Sequence, residues 1–316
     1  MADKKIIAIL GATGYQGGGL ARAILNDRTG SFAARALTRD PDSEKAQALA
    51  KLGAQVVKAD ANNINSLRQA FDGAFGAFCV TSYWEHFLPE KDLAQASNMA
   101  MAAKQAGIKH VIWSTLEDTR LKVPLKDKRM PTLMEHYKVP HFDAKGESDK
   151  VFQQSGTPTT FLRTSFYWED FIYFGLGPKR QPDGTIALKL PIGDKKLPGI
   201  AAEDIGRCAY SIFRKGVEFI GQTIGIAGEH LTGSQMAAAL TRALGETVRY
   251  DAVTPEEFRE YDKPAAKDFA NMFQYISEFE KDFCGARNVE SSRGLDPDLL
   301  TFDRWLAKNK DRIPLT

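Results

Sequence analysis

An α/β fold, a Rossmann-type doubly wound parallel sheet with a smaller α+β C-terminal lobe, is predicted by three features of the sequence. The first is Lys5-Ile6-Ile7-Ala8-Ile9-Leu10, a mostly β-branched apolar run that reads as a buried strand. The second is Gly11-Ala12-Thr13-Gly14-Tyr15-Gln16-Gly17, directly after it and leading into the helical stripe of Leu20, Ile24 and Leu25. The third is a strand–helix alternation sustained as far as Ser114, which an open parallel sheet with right-handed crossovers explains.

The glycine spacing carries a specific physical meaning. Gly11 permits a tight turn off the strand, and Gly14 removes a side chain where a pyrophosphate would approach the backbone. Gly17 lets the helix pack closely, so that its N-terminus stabilises the phosphates. A strand before and a helix after are the context that the dinucleotide reading requires.

The remaining elements follow in order. A second strand is expected over 32–38, ending before Arg39, and a helix over 42–52 closing at Gly53. A third strand, 54–59, ends at Asp60, and a short helix over 66–71 closes at Gly73. Strand four is 77–81, the next helix 90–106 stops at Gly107, and strand five is 110–114. The stretch 116–139 breaks the pattern. With Arg120, Lys122, Lys126, Lys128, Arg129, Pro124 and Pro131, it reads as a solvated surface connection or as a flap over the ligand edge. A helix over 143–154 then leads to strand six, 159–163, which returns to the sheet. Short strands at 185–190, 222–226 and 248–252, with helices at 203–213, 233–244 and 302–306, form the smaller lobe. The expected division is residues 1–158 for nucleotide binding and 164–316 for the lobe, with some lobe elements packing back on the first domain.

Composition removes several function classes. A net charge of +2 exerts no global pull on nucleic acid or membranes, and no basic helix or recognition motif argues for direct DNA binding. Cys79, Cys208 and Cys284 are odd in number and contain no CxxC pair, so no zinc site or disulfide framework is expected. Met1-Ala2-Asp3-Lys4 runs straight into the first strand without an apolar leader, and no apolar run reaches membrane-spanning length. A cytoplasmic location is expected.

The end of strand two selects the nucleotide. An NAD site places a carboxylate there to accept from the ribose 2′-hydroxyl. Here the strand ends Ala36-Leu37-Thr38-Arg39, and Arg39 would instead pair with a 2′-phosphate through its planar donor fork. Asp60 would stand near the adenine, and Thr81-Ser82 would line the nicotinamide-ribose side.

These residues bring the chain to a resemblance. It resembles the NmrA-like proteins, atypical short-chain dehydrogenase relatives, and especially their NADP-sensing animal members. Beyond the glycine loop, the likeness includes Val80-Thr81-Ser82-Tyr83-Trp84-Glu85 and His141-Phe142-Asp143-Ala144-Lys145-Gly146-Glu147. It also covers Leu188-Lys189-Leu190-Pro191-Ile192-Gly193-Asp194 and Asp268-Phe269-Ala270-Asn271-Met272-Phe273. The resemblance implies NADP(H) as cofactor, with Gly11, Ala12, Thr13, Gly14, Tyr15 and Gln16 holding the pyrophosphate and Arg39 the 2′-phosphate. It implies that Asp60 and Ala61 border the adenine. Thr81, Ser82, Tyr83, Lys145, Tyr167, Trp168, Glu169 and Asp170 would frame the nicotinamide end. One departure is Ala94, aligned where sensor relatives can carry a lysine.

Catalysis is the open question. Active short-chain dehydrogenases use a serine together with Tyr-x-x-x-Lys, in which the ammonium stabilises a phenolate one helical turn away. Ser114 and Lys145 match the serine and the lysine, but the tyrosine position holds His141. Two classes follow: a cofactor-binding regulator that reports the NADP(H) pool to a protein partner, and a reductase of the isoflavone-reductase or quinone-reductase type acting on a small planar carbonyl or enone. Tyr83, Trp84, Phe166, Tyr167, Trp168 and Phe171 would sandwich such a substrate, or form the lobe's core.

Overall fold

The structure, a computed structural model, describes residues 4–262 and 265–316. Met1-Ala2-Asp3, read above as a leaderless start, lies outside the described residues. The chain divides into two compact units, one of Met1–Asp118, His141–Arg163 and Ala202–Ile224, the other of Thr119–Pro140, Thr164–Ala201 and Gly225–Thr316.

The first unit alternates strand and helix: β1 (Lys5–Ile9), α1 (Tyr15–Asn26), β2 (Phe32–Thr38), α2 (Glu44–Lys51), β3 (Gln55–Lys58), α3 (Ile64–Phe71), β4 (Gly76–Cys79), α4 (Pro89–Gln105), β5 (His110–Thr115), α5 (Pro140–Ser155) and β6 (Thr159–Arg163). The second unit begins with β7 (Phe166–Tyr167), α6 (Asp170–Tyr173), β8 (Lys179–Arg180), β9 (Ile186–Leu190) and β10 (Lys196–Ile200). The chain then returns to the first unit with α7 (Ala202–Lys215) and β11 (Thr223–Gly225). Lastly come β12 (Glu229–Thr232), α8 (Gly233–Leu244), β13 (Val248–Ala252), α9 (Pro255–Arg259), α10 (Ala266–Glu278), α11 (Glu280–Gly285), α12 (Val289–Leu295) and α13 (Phe302–Asn309).

The central sheet has seven strands in the order β11-β6-β5-β4-β1-β2-β3. Every pairing from β6 through β3 is parallel. The two inner strands β4 and β5 are buried along their whole length, as apolar strands covered by helices on both faces should be. Strand order steps from β4 to β1 beside the turn of Gly11–Gly17, so the turn sits at a topological switch point.

Helix starts differ from the sequence expectation for identifiable local reasons. Asn63 accepts from the backbone N–H of Asn65 and Ser66, which sets the start of α3 at Ile64 rather than Ser66. Pro140 occupies the first position of α5, where a missing N–H costs nothing, so this helix begins three residues earlier than expected. Helix α7 lies against α1 through two glycines. A Cβ on Gly206 would stand 2.0 Å from Leu20 N, and one on Gly19 would stand 2.4 Å from the Glu203 carbonyl oxygen.

The second unit holds two three-stranded sheets, β12-β10-β7 and β13-β9-β8. Its core stacks Phe302 on Trp305 at 5.9 Å, with Trp168 at 5.4 Å from Phe302. The basic stretch of residues 119–140 belongs here: Lys122, Lys126, Lys128 and Arg129 are exposed, as a surface connection requires, while other groups anchor it. Lys138 is fully buried and donates to the carbonyls of Asp127 and Met130 at 2.7 and 2.6 Å. Asn271 of α10 donates to the carbonyls of Pro131 and Lys138, and Gln274 to that of Arg129. The stretch is bolted by side chain–backbone bonds within the second unit, because a long loop without a ladder must satisfy its buried carbonyls some other way.

Candidate nucleotide site

The site is built at the C-terminal edge of the parallel sheet in the first unit. Gly11 has φ +63°, a conformation that glycine adopts without Cβ strain, and its carbonyl accepts from Gly14 N–H at 2.9 Å. A Cβ on Gly17 would stand 2.5 Å from the Gly11 oxygen and 2.6 Å from that of Leu10. Only glycine allows α1 to press on the turn this closely. Gly14 caps α1 without a side-chain hydrogen bond, and the first helical turn carries no acid. The positive field of this helix start is therefore not offset by an acid of its own first turn. Ala12 is buried and Thr13 half-buried, while Gly11, Gly14 and Tyr15 are exposed.

Beneath this rim lies a floor of buried polar side chains. Ser114, at the end of β5, donates to Gln16 Oε1 at 2.7 Å, tying the sheet to the first turn of α1. Lys145 Nζ lies 2.8 Å from Thr81 Oγ1 and 3.3 Å from the Thr81 carbonyl. The Thr81 hydroxyl in turn donates to Asp92 Oδ2 at 2.8 Å. His86 accepts from Leu88 N–H through Nδ1, so its proton sits on Nε2, which stands 3.3 Å from Asp92 Oδ1. Burial lowers the Lys145 pKa, and the nearby Asp92 and Asp149 carboxylates oppose that shift. One helical turn on, Asp149 accepts from Thr115 Oγ1 at 2.6 Å and from Trp113 Nε1 at 3.0 Å, and burial pushes its carboxyl up to about 7.

At the rim, Arg39 is exposed at the end of β2 and pairs with Glu85 at 2.9 Å. Asp60 Oδ1 accepts from the backbone and side chain of Asn62, a turn that α4 braces from two positions. Gln95 donates to Asn62 Oδ1, and Asn98 to the carbonyl of Ala61. Ser82 is exposed and Tyr83 buried, with the Tyr83 ring 5.1 Å from Trp84. His141 is buried against rings, 4.7 Å from Trp84 and 5.9 Å from Tyr83.

The structure thus joins Thr81 to Lys145 and Gln16 to Ser114 directly. Tyr167, Trp168, Glu169 and Asp170 belong to the second unit, on β7 and the start of α6. Trp168 is a core residue there, Glu169 accepts from Trp305 Nε1 at 2.8 Å, and burial holds the Asp170 carboxyl well above the usual carboxylate range. Of the six aromatics grouped by sequence, Tyr83 and Trp84 belong to the first unit and Phe166, Tyr167, Trp168 and Phe171 to the second, where Phe166, Trp168 and Phe171 are core residues. Sequence reasoning missed Asp92, His86, Asp149 and Glu85. The signal for Asp92 was a carboxylate in the first turn of a helix, fully buried once folded. Among the described residues, no cluster of His, Cys, Asp and Glu is arranged to hold a metal ion, and no helix is long and apolar enough to cross a membrane.

A seven-stranded parallel sheet with a glycine turn at its switch point defines a Rossmann-type α/β protein. Residues 3–306 match the NmrA-like family, and the chain belongs to it. Among its relatives is the NmrA-like family domain-containing oxidoreductase FrzB of Cladobotryum sp, 29% identical over 85% of this chain and 83% of that one. Solved structures of NmrA, a negative transcriptional regulator, superpose with a TM-score of 0.79, covering 97% of this chain and 95% of that one. The complexes with NADP and with NAD are each 25% identical to it. The Citrobacter sp. triphenylmethane reductase complexed with NADP(H) shares the fold, with a TM-score of 0.73 at 19% identity, over 97% of this chain and 99% of that one.

Proposed function

We propose that the chain binds NADP(H) and acts as a cofactor-responsive regulator through a protein partner. The observation that carries the cofactor assignment is Arg39, standing where an NAD site needs a carboxylate, one residue beyond β2, the strand next to the one that leads into the glycine turn. The residues fit the group: Gly17 lets α1 press on the turn, and the first turn of α1 carries no acid to repel a phosphate. Residues 11–16 would hold the pyrophosphate, Arg39 the 2′-phosphate, Asp60 and Ala61 the adenine side, and Thr81, Ser82, Tyr83 and Lys145 the nicotinamide ribose. When bound, the nicotinamide supplies a hydride. Lys145 would orient the ribose hydroxyls with an ammonium already held by Thr81.

The regulator half rests on position 141. The residue one turn before Lys145 is a histidine enclosed by Trp84, Tyr83 and Phe142, which does not reproduce the phenol of the dehydrogenase pair. The NmrA likeness supports the same reading. A second reading, an NADPH-dependent reductase of a small planar carbonyl or enone, is favoured by the buried ammonium of Lys145 and by the oxidoreductase names of the relatives. Purified protein should retain NADP(H), and NADPH oxidation over a panel of quinones, ketones and enones should stay below about 1 s⁻¹, the lower end of ordinary turnover. A faster rate on any of them would replace the regulator with the reductase.

A further inference from the structure

We propose that Glu85 tunes nucleotide preference by competing with the 2′-phosphate for Arg39; this rests on the NADP(H) reading above. In the sheet, β1 lies between β4 and β2. Arg39 directly follows β2, and Glu85 ends the 3₁₀ turn Tyr83–Glu85 that follows β4. The two side chains therefore meet from the segments flanking β1, the strand that delivers the glycine turn.

Their contact has the geometry that a phosphate would use. Arg39 Nη1 lies 2.9 Å from Glu85 Oε2, and Nη2 lies 3.0 Å from Oε1, so two donors of the fork face both carboxylate oxygens. Those two N–H groups cannot serve the carboxylate and a phosphate in the same pose. A 2′-phosphate would also bring its negative charge up to that of Glu85. A 2′-hydroxyl makes neither demand. Glu85 therefore shifts the balance towards NAD(H), against the pull of Arg39.

The turn itself is held in place. Tyr83 is 3% exposed, with Trp84, His86 and His141 packed around its ring, so Glu85 is presented from a fixed base. The paired side chains are 63% and 49% exposed, which keeps the pair weak and exchangeable. The contact biases the site without closing it.

Calorimetry of NADPH and NADH binding to the full chain tests this in the wild type, Glu85→Gln, Glu85→Ala and Arg39→Ala. Both Glu85 variants should bind NADPH roughly threefold to tenfold more tightly, the scale of an exposed ion pair plus a relieved repulsion, with NADH changed by less than about twofold. Unchanged or weaker NADPH binding in both, while Arg39→Ala still weakens NADPH selectively, overturns the role of Glu85 and leaves the NADP(H) reading standing. Equal losses of both nucleotides in Arg39→Ala, or no NADPH binding at all, overturn that reading and this inference together.

Discussion

Thr81 gives the buried ammonium of Lys145 two acceptors, its hydroxyl at 2.8 Å and its carbonyl at 3.3 Å, and its hydroxyl donates a hydrogen bond to Asp92. A cation in that setting is tolerated only because each link is satisfied. Thr81→Ala removes the hydroxyl from both neighbours at once. It should lower stability by about 1–3 kcal/mol in urea unfolding. A change under about 0.5 kcal/mol would mean that water replaces the hydroxyl, and that the link is not structural.

Lys145→Met keeps the length and apolar stem of the side chain and removes its charge. NADPH affinity should fall at least about fivefold, since a charge-assisted hydrogen bond to ribose is worth more than a neutral one. Any quinone turnover should fall with it. Unaltered NADPH affinity by calorimetry would take Lys145 out of the nucleotide site.

The carboxyl of Asp149 provides a pH test. Burial raises it from 3.8 to about 7, with Glu117 adding to the rise and Thr115, Arg163 and Trp113 opposing it. Between those values the folded chain keeps a proton that the unfolded chain has released. Stability is therefore lost as pH rises through this window, and the loss is complete above about 7. Asp149→Asn retains an acceptor for Thr115 and does not titrate. Its melting temperature relative to wild type should rise by several degrees between pH 5 and pH 8. A constant difference over that range would show that Asp149 titrates normally.

Three glycines differ in what surrounds them. Gly19→Ala and Gly206→Ala would drive a methyl group into backbone atoms at 2.4 and 2.0 Å, so each should cost more than about 2 kcal/mol despite the better helix propensity of alanine. Gly294, within α12, has open space around its missing Cβ, and Gly294→Ala should stabilise by about 0.5–1 kcal/mol. The check is chemical denaturation of all three variants. If Gly206→Ala proves neutral, α1 and α7 do not approach as closely as the glycines imply.

The bolted stretch of residues 119–140 should resist trypsin at 122–129 even without nucleotide. Asn271→Ala removes the donor to two loop carbonyls and the acceptor for Arg259, so cleavage there should accelerate at least about tenfold. Rapid cleavage of the wild-type chain that NADPH suppresses would restore the flap reading.

The sequence by itself determined the parallel sheet and the nucleotide turn. Both are written in contiguous residues: an apolar run, glycines at 11, 14 and 17, and a helical stripe immediately after them. Strand ends located Arg39, Asp60, Thr81 and Ser114 at one edge, because every parallel strand finishes on the same side. Helix α10 was not read from the sequence although Lys267, Asp268, Asn271, Gln274 and Glu278 recur at helical spacing; folding buries much of that polar face, where Asn271 and Gln274 bond the carbonyls of residues 129, 131 and 138. Only the tertiary structure decided which side chains meet. Asp92 and Thr81 are 11 residues apart, Arg39 and Glu85 46, and Gln16 and Ser114 98. The physical reason is that a hydrogen bond or ion pair depends on distance and direction in space. Sequence spacing fixes these along one helix or strand, whereas packing fixes them between elements.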